Sequence, residues 1–121
     1  MSIKYASIVP LIGGMTLAGI KATNGIKPSA IMTYSPFKDN ELSLKMYLPD
    51  VPYHVLDEDG DIDAGKDFDY ISALCPCAGL SLLSSGTQEV KEAANSWMFK
   101  TAEHVLGHLK PKVFWGENAS A

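Results

Sequence analysis

Short apolar runs alternate along the chain with segments of helical periodicity. The first run, residues 5–10, is rich in Ile and Val and ends at Pro10, just before the pair Gly13-Gly14. An apolar run that stops at Pro and Gly is typical of a buried strand. Similar runs predict four further strands, at residues 29–34, 52–56, 69–75 and 112–117.

Three segments between these runs have the spacing of helices. Residues 15–22 predict a short helix, and residues 38–47 predict a second one with a looser pattern. The longest predicted helix begins at Thr87 or Gln88 and ends near Leu109. Its apolar stripe consists of Val90, Ala94, Trp97, Thr101, Val105 and Leu109.

The alternation of strands with helices predicts the fold class. Strands joined through helices form a parallel sheet with right-handed crossovers. We therefore expect an α/β fold, a doubly wound and mostly parallel sheet of about five strands. Such sheets bind ligands beyond the carboxyl ends of their strands. Four features fall at predicted strand ends: the segment 10–14, Asp61, Cys77 and Glu117.

Composition and charge narrow the class of protein. The chain has 121 residues, of which 46% are hydrophobic and 20% charged, which indicates one soluble globular domain. Its net charge is −4 and all ten basic residues are Lys, which argues against a freestanding nucleic-acid binder because Arg is the usual contact to phosphate and guanine. No apolar run is long enough to span a membrane, so we expect no membrane partner.

The acidic segment between residues 57 and 69 is the main polar feature of the middle of the chain. It holds seven Asp and Glu residues, which a solvated loop explains. A calcium-binding EF-hand loop requires Gly at its sixth position and Glu at its twelfth. Counted from Asp57, those positions hold Ile62 and Phe68, so the sequence excludes an EF-hand.

Two cysteines, Cys75 and Cys77, flank Pro76 at the end of the fourth predicted strand. A disulfide across one intervening residue is strained, so both thiols are expected to be reduced, as in a cytoplasmic protein. Cys75 belongs to the strand and fits a small core residue. Cys77 lies in the following loop, where it is either a second core residue or a nucleophile whose pKa the loop and the next helix lower.

A zinc site is the competing interpretation of the same thiols. His104 and His108 are four residues apart on the predicted long helix and so share one face. The sequence has no Cys-x-x-Cys pair, and His54 is remote, so we expect no metal. Glu117, directly after an apolar strand, is either an ordinary solvent-facing acid or, beside a thiol, a proton donor.

Four stretches together resemble the cytosine C5-methyltransferases, in the same order along the chain. They are "IVPLIGG", "DGDI", "DYISALCPCAGLS" and "HLKPKVFWGENA". The resemblance implies a Rossmann-like fold that binds S-adenosylmethionine. It also implies the catalytic roles: Cys77 of the Pro76-Cys77 loop as the nucleophile, Glu117 of Glu117-Asn118 as the acid that holds the ring N3, and Ser81 at the end of the loop.

In that family the thiolate adds to C6 of a cytosine flipped out of the DNA stack. The carbon C5 then takes the methyl group of the cofactor, and elimination frees the enzyme. By resemblance, the cofactor residues are Ile12, Gly13 and Gly14 after the first strand, and Asp61 and Ile62 beside the adenine. Leu11 stands where the family has its first Gly, and Tyr34 or its neighbours stand where it has an acid for the ribose.

Family members are longer and read DNA with a C-terminal region. We therefore expect residues 1–121 to be a single partial catalytic domain that meets DNA through a target-recognition region missing here. The leading interpretation is a DNA cytosine C5-methyltransferase segment, inactive or feeble alone. A methyltransferase-like binding protein without catalysis and a tRNA-directed member of the family remain as alternatives.

Overall fold

The structure of the chain is a computed structural model, and it describes residues 3–11, 13–59, 66–74 and 100–117. Its elements follow one another as strand, helix, strand, helix, strand, which is the predicted alternation. In chain order they are β1 (Tyr5–Ile8), α1 (Gly14–Ala22), β2 (Ala30–Thr33), α2 (Leu42–Tyr47), β3 (Tyr53–Val55), α3 (Leu56–Asp59), β4 (Tyr70–Leu74), α4 (described over residues 100–109) and β5 (Val113–Glu117).

The five strands form one sheet in the order β3-β2-β1-β4-β5, and each neighbouring pair is parallel. The central strand β1 pairs with β2 on one side, Ala6 opposite Ala30, and with β4 on the other, Tyr5 opposite Tyr70. This confirms the predicted α/β, Rossmann-like parallel sheet.

Alternate residues of the strands supply two hydrophobic layers, one on each face of the sheet. Val105 and Leu109 of α4 pack on the face that carries Ile8 and Ile71. The opposite face carries Ile31. Against it pack Ile20 of α1 with Leu44 and Leu48 of α2 and its C-terminal end. Because successive side chains of a strand point to opposite faces, both faces of the sheet are covered, as a parallel sheet requires.

Helix α1 lies against β1 through small and hydroxylated residues. Thr16 donates its hydroxyl to Ser7 Oγ at 2.9 Å, and both side chains are buried. One turn later Gly19 passes over the aromatic pair Tyr5 and Tyr70, whose rings stack at a centroid distance of 4.7 Å. A Cβ at Gly19 would lie 2.7 Å from the Tyr70 hydroxyl, so this glycine permits the close approach of helix and sheet.

The structure differs from the predicted elements at three places. The second helix opens with a 3₁₀ turn, Lys38–Glu41, before α2 begins. The acidic segment, predicted to be a loop from Asp57 onward, begins instead with the short helix α3. The long helix ends at Leu109 as predicted, but its last turn, Val105–Leu109, is a π-helix that Lys110 closes in a left-handed conformation.

Candidate functional site

The carboxyl edge of the sheet contains a topological switch point between β1 and β4. From β1 the chain winds outward through β2 and β3, and then returns to the other side of β1 to form β4 and β5. The strands that follow β1 in the chain therefore lie on one side of it, and β4 and β5 lie on the other. In open α/β sheets the crevice at such a switch point is where ligands bind.

The loop from β1 to α1 has an unusual backbone. Val9 and Leu11 have φ angles of 50° and 53°, and Gly13 has 98°. A β-branched residue at positive φ is an outlier, and such conformations cost about 1–3 kcal/mol unless the surroundings fix them. Hydrogen bonds do so here, from the Val9 amide to the Met32 carbonyl at 2.8 Å and from the Gly13 amide to the Pro10 carbonyl at 2.9 Å.

The two predicted cofactor glycines have different surroundings. Gly13 is buried, and a Cβ built on it would lie 2.6 Å from Cδ1 of Leu44 in α2. Gly14 begins α1, and none of the described residues lies within 4 Å of a Cβ built there. Gly13 thus lets α2 pack against the loop, whereas Gly14 leaves the loop backbone open to an approaching group.

A buried carboxylate that the sequence analysis missed holds the same loop. Glu41 ends the 3₁₀ turn before α2 and is 0% exposed. Its Oε2 accepts the Leu11 amide at 3.0 Å, and its Oε1 accepts the Tyr53 hydroxyl at 2.8 Å. In sequence Glu41 resembles any acid at the start of a helix, so no pattern distinguished it.

Burial raises the pKa of the Glu41 carboxyl. The Thr33 hydroxyl, the Tyr53 hydroxyl and the Leu11 amide act in the opposite direction without cancelling it. Thr33 Oγ1 is close enough to lower the pKa of Glu41. It is buried, and it forms no hydrogen bond of good geometry with any described residue. Burial and Glu41 in turn raise the pKa of Tyr53 above its ordinary value.

A second pair of polar side chains lies at the carboxyl ends of β2 and β3. Ser35 donates its amide to Asp57 Oδ1 at 2.8 Å and its hydroxyl to Oδ2 at 2.5 Å. Burial acts to raise the pKa of Asp57, but the two bonds from Ser35, with the Lys100 ammonium, hold it below the usual value. The sequence analysis assigned Asp57 to a solvated loop, although its position just after the third predicted strand was a usable signal.

The catalytic residues predicted from the resemblance lie almost entirely outside the described residues. Pro76, Cys77, Ser81 and Asn118 belong to this group, as do three of the predicted cofactor residues, Ile12, Asp61 and Ile62. For Glu117 the structure describes the backbone but not the side chain. That backbone ends β5 directly beside Leu74, the last residue of β4.

The two histidines considered for zinc lie on α4. Their rings are 5.6 Å apart, His104 is half-buried and His108 is exposed. Burial, with His108 nearby, lowers the pKa of His104, and its Nε2 has no hydrogen-bond partner in the described part of the chain. Within that part, no three His, Cys, Asp or Glu residues form a group able to hold a metal ion.

No helix in the described ranges is both long and apolar enough to cross a bilayer. Comparison with known proteins adds no identification: the sequence matches no protein-family model and no curated protein.

Proposed function

We propose that the chain is a catalytic segment of a DNA cytosine C5-methyltransferase, which transfers a methyl group from S-adenosylmethionine to C5 of a flipped cytosine. The observation that carries the proposal is the β4–β5 register, in which Leu74 lies opposite Glu117. It brings the strand that leads into Pro76-Cys77 and the strand that ends in Glu117 side by side, next to the switch point between β1 and β4.

Covalent geometry limits how far the two proposed catalytic residues are separated. Cys77 follows Leu74 by three residues, so its Cα lies within about 11 Å of the Leu74 Cα in any conformation. Neighbouring strands lie about 4.8 Å apart, so the Glu117 backbone is close to the same point. A thiol and a carboxylate within this range can face one pyrimidine ring.

The proposed roles of Cys77 and Glu117 follow from the chemistry of a thiolate and a carboxylic acid. The Cys77 thiolate forms the bond to C6 of the ring, and Glu117 holds N3 so that C6 becomes electrophilic. C5 then accepts the methyl group that the cofactor would supply. After that transfer a base removes the C5 proton, which breaks the C6–S bond and restores the thiolate.

The residues at the edge fit an adenosyl cofactor. Gly14, with open space around it at the start of α1, allows close approach to the backbone. Asp57, whose carboxylate the Ser35 amide and hydroxyl fix in place, is exposed and keeps lone pairs free for ribose hydroxyls. Ser35 and Asp57 thereby supply, from the ends of β2 and β3, the acid that the sequence lacks directly after β2.

The test is covalent trapping on DNA that contains 5-fluorocytosine, with S-adenosylmethionine present, using the complete native reading frame. Fluorine at C5 cannot leave as the proton does, so an active enzyme stays bonded to the base. We expect a protein–DNA adduct on a denaturing gel that Cys77→Ser abolishes and Cys75→Ser retains. Failure of the wild-type protein to form the adduct, or an undiminished adduct in Cys77→Ser, contradicts the proposal.

The same assay with tRNA that contains 5-fluorocytidine distinguishes the tRNA-directed alternative. The remaining alternative, a methyltransferase-like binding protein without catalysis, is favoured by Leu11, whose amide already bonds to Glu41 where the family has a glycine. Calorimetric titration with S-adenosylmethionine separates it from the enzyme. Binding at micromolar concentration supports the enzyme, and no binding supports the alternative.

A further inference from the structure

Glu41 connects three parts of the fold that are distant in sequence. It lies in the 3₁₀ turn before α2, accepts the Leu11 amide of the β1–α1 loop and accepts the hydroxyl of Tyr53 in β3. Leu44, three residues later on the same side, packs against Gly13 of that loop. The turn and the start of α2 therefore contact the loop through one polar and one apolar group.

An ionised carboxylate satisfies this arrangement at both of its oxygens, which accept hydrogen bonds from the Leu11 amide and from the Tyr53 hydroxyl. The isosteric Gln can keep both contacts only if its NH₂ donates to the Tyr53 oxygen, and its bond to the Leu11 amide is then a neutral one. Bonds from donors to a charged acceptor are also about twice as strong as neutral ones.

Burial of this charge is unfavourable for folding, which makes a purely structural role a poor explanation. The pKa of Glu41 is raised above its ordinary value, so its contribution to stability is full below that value and declines as the pH rises through the raised one. A neutral side chain at this position would avoid the cost of burying the charge. The hydrogen bond from the Leu11 amide to the carboxylate instead stabilises the Leu11 backbone at its positive φ of 53°.

We propose that Glu41 is a positioning residue of the switch-point site: its carboxylate fixes the Leu11 amide and so holds the β1–α1 loop in the form that receives the ligand. This deepens the proposed function, on which the identity of that ligand as S-adenosylmethionine rests. Glu41 itself is buried beneath the loop and acts through Leu11.

Protonation of Glu41 replaces a charged acceptor with a neutral one and so weakens the bond from the Leu11 amide, which loosens the loop as the pH falls. The titratable and charged groups around it are few. Tyr53 faces it from β3, Lys45 of α2 lies 4.7 Å from the centre of the Tyr53 ring, and Asp39 lies in its own 3₁₀ turn. Among the described residues of the loop, the Leu11 amide is the group that bonds to Glu41.

The experiment follows the Leu11 amide by NMR in the free chain, and then measures S-adenosylmethionine affinity by calorimetry. In the wild-type protein the Leu11 amide shift is expected to titrate with a pKa above the ordinary Glu value. Glu41→Gln is expected to remove that titration, speed hydrogen exchange at Leu11 and weaken cofactor binding about tenfold, the effect of losing one charged hydrogen bond. Asp39→Asn, which removes an exposed acid from the same turn, is expected to leave all three unchanged.

Stability measurements separate positioning from a structural role. At neutral pH the free energy of unfolding of Glu41→Gln should be close to that of the wild type. As the pH falls, the free energy of unfolding of the wild type should rise relative to that of the variant. A Leu11 amide that does not titrate in the wild-type protein, or that is unaffected by Glu41→Gln, overturns the proposal without any ligand. A changed Leu11 amide in Glu41→Gln with unchanged affinity for S-adenosylmethionine also overturns it. If the wild-type protein does not bind S-adenosylmethionine at all, the proposed function is refuted, and the NMR measurement at Leu11 decides the role of Glu41.

Discussion

Gly13 offers the sharpest test of how the loop and α2 fit together. Replacing it with Ala adds one methyl group at a position with φ 98°, a region that L-residues enter at a cost of about 1–2 kcal/mol. The new Cβ would also lie 2.6 Å from Leu44 Cδ1, well inside van der Waals contact. Gly14→Ala is the matched control, because its Cβ meets no atom within 4 Å in the part of the chain that the structure describes.

The clash adds to the backbone cost because Leu44 cannot easily move. It is 1% exposed and packs against Ile31, Leu48 and Val51. Overpacking of this kind costs about 1–3 kcal/mol. Together with the backbone term, Gly13→Ala is expected to lower the free energy of unfolding by about 2–5 kcal/mol. Gly14→Ala is expected to change it by less than about 1 kcal/mol, since Ala suits a helix better than Gly.

Urea denaturation followed by circular dichroism measures both changes through the shift in midpoint. Introducing Gly13→Ala into a Leu44→Val background divides the two contributions, because Val lacks the Cδ atoms that the new methyl group meets. In that background only the backbone cost of about 1–2 kcal/mol should remain. Equal midpoints for Gly13→Ala and Gly14→Ala would refute the reasoning, as would an undiminished loss in the Leu44→Val background.

Two further predictions concern the opposite end of the sheet and the end of α4. Asp69 accepts hydrogen bonds from the Lys4 amide at 2.8 Å and from the Lys112 ammonium at 3.0 Å, and both lower its pKa. The wild type should therefore be more stable than Asp69→Asn at neutral pH, and this advantage should vanish as the pH falls through the lowered pKa. Urea midpoints that stay equally far apart in acid would contradict this prediction. Lys110 follows the last turn of α4 with a φ of 45°, a conformation that Gly adopts more easily. Lys110→Gly should therefore raise the free energy of unfolding by up to about 1 kcal/mol, measured as a higher thermal midpoint. A lower midpoint would show that the Lys side chain matters more than its backbone conformation.

The fold was predictable because each strand carries its own local signal. Short apolar runs located all five strands, and their alternation with helices sufficed for a parallel sheet. The 3₁₀ turn before α2 and the π turn at the end of α4 were not predictable, because both depend on how the helix end meets its neighbours. The pattern of apolar residues along a helix does not encode such contacts.

The site was less accessible to sequence reasoning than the fold. Gly13 was found as part of a recognisable motif, but its observed task is to accommodate Leu44, which a motif does not reveal. Glu41 and Asp57 were missed because each acts on a backbone amide from another part of the chain, Leu11 and Ser35 respectively. Acids at helix starts and in acidic loops are usually solvated, so only tertiary contacts identify these two.

The position of β1 at the centre of the sheet affects how the chain folds during its synthesis on the ribosome. Its pairing with β2 forms early, but its other edge waits for β4, whose Tyr70 lies 65 residues after Tyr5. At typical rates of synthesis of about 5–20 residues per second, that edge stays unpaired for roughly 3–13 s. During this interval a nascent chain exposes one edge of a strand that is fully buried in the folded protein, so slowing translation between residues 33 and 70 should increase aggregation during synthesis.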